Sequence, residues 1–139
     1  MFKKLLVAVD GSDLGYKALE HAEALARATE GELVVLTVSD SESHATQHKR
    51  LGLFSDVHDN STTQILNDIL NVMVGSSVKY KLRSETGVPA DVIISVAKQC
   101  ECDAIVMGSR GLSKITKLFI GSVSSEVINH ADVPVVIVK

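Results

Sequence analysis

Four short, β-branched apolar runs constrain this chain more than any other feature: KLLVAV ending at Val9, ELVVLTV ending at Val38, AIVMG ending at Gly108 and VPVVIV ending at Val138. Each is nearly continuous rather than alternating. That is the pattern of strands covered on both faces, and strands so covered belong to parallel sheets flanked by helices. A fifth run, VKYKLRS from Val78 to Ser84, alternates apolar with basic residues and suits an edge strand.

Helical periodicity fills the intervals. Leu14, Ala18, Ala22, Leu25 and Ala26 recur at helical spacing behind Ser12, an N-cap residue, and the segment closes near Gly31. Ile65, Leu66, Ile69, Leu70 and Met73 repeat the pattern, with Ser61 and Gln64 spaced as a capping box. Pro89 fits the first turn of a helix that turns Ile93, Val96 and Ala97 inward. Ser122 caps a last helix whose apolar side carries Val123, Val127 and Ile128. The order βαβαβαβαβ specifies an α/β fold, a doubly wound five-stranded parallel sheet with helices on both faces. At 139 residues, with no internal repeat or low-complexity linker, the chain reads as one domain over residues 1–139. Only Ser39 to Asn60, polar apart from Leu51, Leu53 and Phe54, fits no element and reads as a lid or exposed insertion.

Composition narrows the function. A net charge of −3, no tryptophan and no basic block remove the footprint of a nucleic-acid binder, so no nucleic-acid partner is expected. The apolar run at the N-terminus stops at Asp10, short of a signal peptide or a membrane span, which predicts a cytoplasmic protein with no membrane partner. Cys100 and Cys102 read as unpaired, partly buried thiols. His44, His48 and His58 fall in the polar segment and are expected to be solvated, so no metal site is assigned to the protein itself.

Chemistry concentrates in GSRGLSKITKLFIGS, Gly108 to Ser122. Open parallel sheets bind ligands at the carboxyl ends of their strands, where strand order reverses, which points to DGSD after the first strand and GSRG after the fourth. Were those strands adjacent, Asp10 and the glycine stretch would face one crevice. Glycines let the backbone wrap closely, Gly121 and Ser122 lead into a helix whose first N–H groups attract anions, and Arg110 and the hydroxyls of Ser122 and Ser124 add donors. From spacing alone, a glycine-punctuated loop with a capped helix and a solvated arginine stands beside the phosphate cradle. Neither a G-x4-G-K-[ST] loop nor a G-x-G-x-x-G fingerprint is present.

The spacing Gly108-x2-Gly111-x9-Gly121-Ser122 resembles the G-x2-G-x9-G-[ST] signature of the ATP-binding branch of the universal stress proteins. KKLLVAVDGSDLGYKALEHA is similar to that family's first strand and helix, and DAIVMGSRGLS with IGSVSSEVINHADVPVVIVK to its last third. The resemblance implies strand order 3-2-1-4-5, a homodimer, and ATP, or its products ADP or AMP, held with Mg2+ at the ends of strands one and four. It places Ala8, Val9 and Asp10 beside the adenosine and Val38 against the adenine. Met107, Gly108, Arg110 and Gly111 would line the ribose and phosphate side. Gly121, Ser122, Val123 and Ser124 would bind phosphates through backbone and hydroxyl groups.

The expected function is an adenine-nucleotide-binding regulator in stress responses, not a dedicated enzyme: no general base is evident, so no catalytic residue is assigned and ATP hydrolysis is slow at most. DGSD is only loosely similar to the glycine-serine loop of adenylating enzymes of the adenine-nucleotide α-hydrolase kind, the alternative enzyme reading. A nucleotide-free dimeric interaction module is the other alternative. VPVVIVK, as apolar as a central strand yet last in the chain, is expected at a sheet edge that a two-fold partner would cover.

Overall fold

The computed structural model of the chain describes residues 1–39, 56–110 and 121–139, with 56–61 described in backbone alone. Its elements run β1 (Lys4–Ala8), α1 (Asp13–Thr29), β2 (Glu32–Ser39), α2 (Asp56–Met73), β3 (Lys79–Thr86), α3 (Pro89–Gln99), β4 (Ala104–Gly108), α4 (Ser122–His130) and β5 (Val135–Val138). The five strands form one parallel sheet in the order β3-β2-β1-β4-β5. This is the order that the family resemblance implies.

Alternate residues of the central strands feed two separate cores, which is why their runs are continuous in sequence. Leu5, Val7, Leu33, Val35 and Val106 pack under α1 and α2 with Leu19, Ala22 and Ile69. Leu6, Val34, Leu36, Ile105 and Met107 pack on the opposite face under α3 and α4 with Ile93, Val96 and Val127. Leu5, Leu6 and Val7, three successive residues of β1, are all fully buried. β3 and β5 are the edges. β3 keeps its alternation, with Tyr80 and Leu82 turned toward the first core, and β5 leaves Val135, Val136 and Ile137 half-buried.

Four local expectations are corrected. The second helix begins at Asp56, so Ser61 sits inside it and cannot open a capping box. Leu70 and Ile128, expected to face inward, are each 42% exposed, because only the stripe through Ile69 and Met73, and that through Val127, reaches a core. Ser122 is the first residue of α4; Gly121 occupies the N-cap position and offers no side chain to cap it. The segment expected to lack structure contributes the start of α2 from Asp56, and its remainder, residues 40–55, lies outside the described residues. His44 and His48 lie there too, and a second undescribed stretch covers residues 111–120.

Polar contacts tie helix α2 to α1 through Tyr16 and to the end of β2 through Ser39, with one further bond inside α2. Tyr16 donates to Asp68 Oδ2 at 3.0 Å, Gln64 donates to Asp68 Oδ1 at 2.9 Å, and the Ser39 and Thr62 hydroxyls lie 3.3 Å apart. Burial and the Asp68 carboxylate push the Tyr16 hydroxyl up to about 12. No described helix is long and apolar enough to cross a membrane.

The two cores carry the stability, so truncating a residue at their centre and truncating one expected there but found exposed should differ sharply. Leu5→Ala should lower the unfolding free energy by about 2–5 kcal/mol, whereas Ile128→Ala should stay within about 0.5 kcal/mol of wild type in urea titrations.

Candidate functional site

The site grows from the carboxyl ends of β1 and β4, neighbours whose outgoing connections pass to opposite faces of the sheet. Splaying of those connections leaves a crevice above the two strands. Past β1 the chain stays close to β2, through Val9 N–H donating to Leu36 O at 2.9 Å. Past β4, Ser109 N–H bonds Val138 O at 2.8 Å and Ser109 O accepts from Gly121 N–H at 2.6 Å. That second bond closes the base of the segment between β4 and α4, so residues twelve apart in sequence stand side by side.

The resulting cleft holds about 230 Å³ accessible to the centre of a water-sized sphere. Ala8, Val9, Asp10 and Val38 line one side, and Met107, Gly108 and Arg110 another. Gly121, Ser122, Val123 and Ser124 close it at the start of α4. Eleven of the residues singled out from the sequence thus converge; Gly111 lies outside the described residues. Ser12, Gly15, Leu36, Pro89 and Ile93 also line the cleft; the sequence marked Ser12 as a cap and Pro89 and Ile93 as helix residues, but none of the five as a binding residue. The apolar members, with Val9, Leu36 and Ile93 almost wholly buried, make a floor suited to a flat, weakly polar group.

Asp10 is held locally. Its Oδ1 accepts from Ser12 N–H at 3.0 Å and from Ser12 Oγ at 2.5 Å, while Ser12 Oγ accepts from Gly15 N–H at 3.1 Å and so caps α1. A Cβ at Gly15 would stand 2.9 Å from Asp10 Oδ1, so only glycine lets the first turn of α1 approach this carboxylate. Gly108 has a similar reason: a Cβ there would meet Leu14 Cβ at 3.0 Å and the Leu14 backbone at 3.2 Å. Close packing of α1 on the end of β4 therefore explains this glycine, rather than backbone wrapped around a ligand.

The start of α4 is arranged differently from that of α1. Gly121 supplies no side-chain cap, the first turn carries no acidic residue, and among the described residues nothing accepts from the N–H groups of Ser122, Val123 or Ser124. Three orphan donors at the positive end of a helix thus border the cleft, the arrangement that receives an anion. Arg110, on the facing loop, forms no ion pair among the described residues. One expected donor is corrected: the Ser124 hydroxyl, 2% exposed, lies 3.0 Å from both Ser109 O and Gly121 O, so its single proton serves the loop and not a ligand. No group of three or more His, Cys, Asp or Glu among the described residues is placed to hold a metal ion.

A family model described as the universal stress protein family matches residues 1–139. Universal stress protein YxiE of Bacillus subtilis is 35% identical over 150 residues, an alignment that covers both chains completely. A putative universal stress protein of Staphylococcus aureus is 28% identical, covering 99% of this chain and 84% of that one. Among solved structures, hypothetical protein MJ0577 superposes with a TM-score of 0.83 at 27% identity, covering 100% of this chain and 96% of its own. A universal stress protein solved with cAMP gives a TM-score of 0.75 at 23% identity, covering 99% and 96%. The protein from Archaeoglobus fulgidus solved with dAMP gives 0.74 at 22%, covering all of both chains. The last two likenesses speak for the fold.

Because both carbonyls that Ser124 serves keep a backbone donor, from Gly121 N–H and Ser125 N–H, losing the hydroxyl should be mild. Ser124→Ala should reduce the unfolding free energy by about 1 kcal/mol in denaturant titrations and leave anion binding at the cleft within about twofold of wild type.

Proposed function

The chain belongs to the universal stress protein family, and on that premise we propose that it binds an adenine nucleotide, ATP with Mg2+, in the cleft between β1 and β4 and acts as a nucleotide-dependent regulator in stress responses. The observation that carries the reading is the uncapped start of α4. Its three N–H donors, without an acceptor among the described residues, border a cleft whose other wall is largely apolar, so a ligand with an anionic end and a flat aromatic end matches both. Nucleotides have that polarity. cAMP and dAMP, the ligands of two neighbours of the same fold, share an adenine and a phosphate.

In this reading Ala8, Val9, Asp10 and Val38 take the adenosine end. Met107, Gly108, Arg110 and Gly111 take the ribose and phosphate side, and the N–H groups of Ser122, Val123 and Ser124, with the exposed Ser122 hydroxyl, take the phosphates. Asp10 is the one carboxylate among the described lining residues and its Oδ1 is committed to Ser12. Mg2+ would be held chiefly by the phosphates, since the described lining residues offer it no free carboxylate, and would supply charge neutralisation there. The same economy of carboxylates supports binding over turnover, and steady-state hydrolysis should stay far below about 1 per second.

The test separates charge from fold. Ser122→Asp places a negative charge in the first turn of α4, where it should hold or raise helix stability by about 0.3–1 kcal/mol while repelling phosphate. The expected result is nucleotide released from the denatured wild-type protein, identified by chromatography and mass, and Mg-ATP affinity reduced at least about tenfold in Ser122→Asp with no fall in melting temperature when both proteins are compared free of nucleotide. Wild-type protein that carries no nucleotide and takes up no Mg-ATP would instead mark a nucleotide-free interaction module.

The half-buried β5 edge supports a homodimer in which a second copy covers Val135, Val136 and Ile137. Val136→Asp should convert a dimer to a monomer in light scattering; a dimer that survives the change would place the interface elsewhere.

A further inference from the structure

At the opposite end of the sheet from the nucleotide cleft, α3 ends in a turn that carries both cysteines of the chain. Cys100 N–H bonds Val96 O at 2.9 Å, Glu101 N–H bonds Lys98 O at 3.1 Å and Cys102 N–H bonds Ala97 O at 2.8 Å, with Glu101 at φ +56°. This is the paired-bond helix stop with its middle residue in the left-handed region. A residue in that region brings its two neighbours' Cα atoms to about 5.5 Å, within the range that a disulfide spans, whereas an extended residue would part them further. Both side chains also pack on the same apolar cluster under α3 and α4.

The two thiols differ in surroundings. Cys100 is half-buried, and Arg83 Nη1, reaching from β3, donates to its sulfur at 3.4 Å; Arg83 Nη2 is held by Glu85 at 2.5 Å and by Gln99 at 3.5 Å. Reactive cysteines characteristically have such cationic, partly exposed surroundings. Cys102 is buried, and that burial together with the neighbouring Cys100 charge pushes its thiol up to about 11. Cys102 nevertheless borders a cavity of about 240 Å³ walled by Ile94, Ala97, Ile105, Ala131 and Val133, with the exposed Lys98–Asp132 pair, 3.7 Å apart, at its rim. A small molecule can therefore come up to Cys102 from this cavity, and to Cys100 through that residue's own partly exposed surface.

We propose that Cys100 and Cys102 form a two-thiol oxidation site for a hydroperoxide, with Cys100 as the attacking sulfur, Cys102 as the resolving sulfur and Arg83 as the residue that positions Cys100. The Cys100 sulfur attacks the terminal peroxide oxygen and the O–O bond breaks. Cys100 becomes a sulfenic acid, and the departing alkoxide or hydroxide takes up the proton to leave as alcohol or water. Cys102 then attacks the sulfenic sulfur. The S–O bond breaks, its oxygen leaves as water with the Cys102 thiol proton, and an S–S bond joins the two residues. In sum two thiols and one hydroperoxide give one disulfide, one alcohol or water, and one further water. A ring this small is strained and hence easily reduced, which makes the oxidation reversible by cellular thiols.

The measurement is the intact mass of reduced protein after one equivalent of hydrogen peroxide in thiol-free buffer, followed by alkylation. Wild-type protein should lose about 2 Da, resist alkylation at both positions and remain a single chain, while Cys102→Ser should gain about 16 Da and react with a sulfenic-acid trap. Arg83→Gln should slow that first step about tenfold in the Cys102→Ser background, and Arg83→Lys should restore part of the rate. Wild-type protein with both thiols still alkylatable once free glutathione has been consumed, chains joined to each other instead, or Cys100→Ser oxidised as fast as wild type would each overturn the proposal. The wild-type result stands by itself if a variant fails to fold.

Discussion

Burial of β1 on all sides is the constraint on which the rest of this structure depends. It is hydrogen-bonded to β2 on one edge and β4 on the other, and Leu5, Leu6 and Val7 have no exposed surface. A strand in that position must be apolar at every residue, must be covered by helices on both faces, and leaves the sheet's order to reverse at its own carboxyl end. With α1 and α2 on one face and α3 and α4 on the other, the described residues leave the space above Ala8 and Val9 open. The cleft is a consequence of filling both cores from a single central strand.

Two helix starts at that cleft show how identical residue types come to different uses. Ser12 satisfies α1 with its own hydroxyl and is braced by Asp10, so that end is electrostatically closed. At α4 the cap position falls to Gly121, Ser122 points outward, and Ser124 is turned down to clamp Ser109 O and Gly121 O. What remains available among the described residues is mainly backbone, three N–H groups in one first turn, with the Ser122 hydroxyl beside them. Rigid backbone donors lose little conformational freedom when they bind an anion, and a serine chain would lose more.

Helix α3 links this end of the molecule to the other. Its N-terminal half brings Pro89 and Ile93 to the cleft, and the turn that stops it carries Cys100 and Cys102, of which Cys102 lines the second cavity. One 11-residue helix therefore runs between the cleft and the turn that holds the two cysteines. The separation also explains their independence: the cleft is made by loops leaving strands, while the thiol pair sits where the chain re-enters β4.

The sequence by itself determined the α/β class, the five strands and the edge character of β3, and through its family resemblance it pointed to eleven of the described residues that meet at the cleft. Continuous apolar runs report burial on two faces, and glycines with hydroxyls near strand ends report where backbone comes close to a ligand or to another element. The tertiary structure alone decided which helical residues reach a core: Ile69 and Leu70, or Val127 and Ile128, are adjacent and alike in hydrophobicity, and only the angle at which each helix lies on the sheet buries one and exposes the other. It also brought Gly15, Leu36 and Ile93 to the cleft, because their places come from strand register and helix packing rather than from any local motif. The proton of Ser124 belongs to the same class. A hydroxyl's partner is set by which carbonyl lies within 3.0 Å, and that distance exists only once Ser109 and Gly121 have been joined across the chain between them.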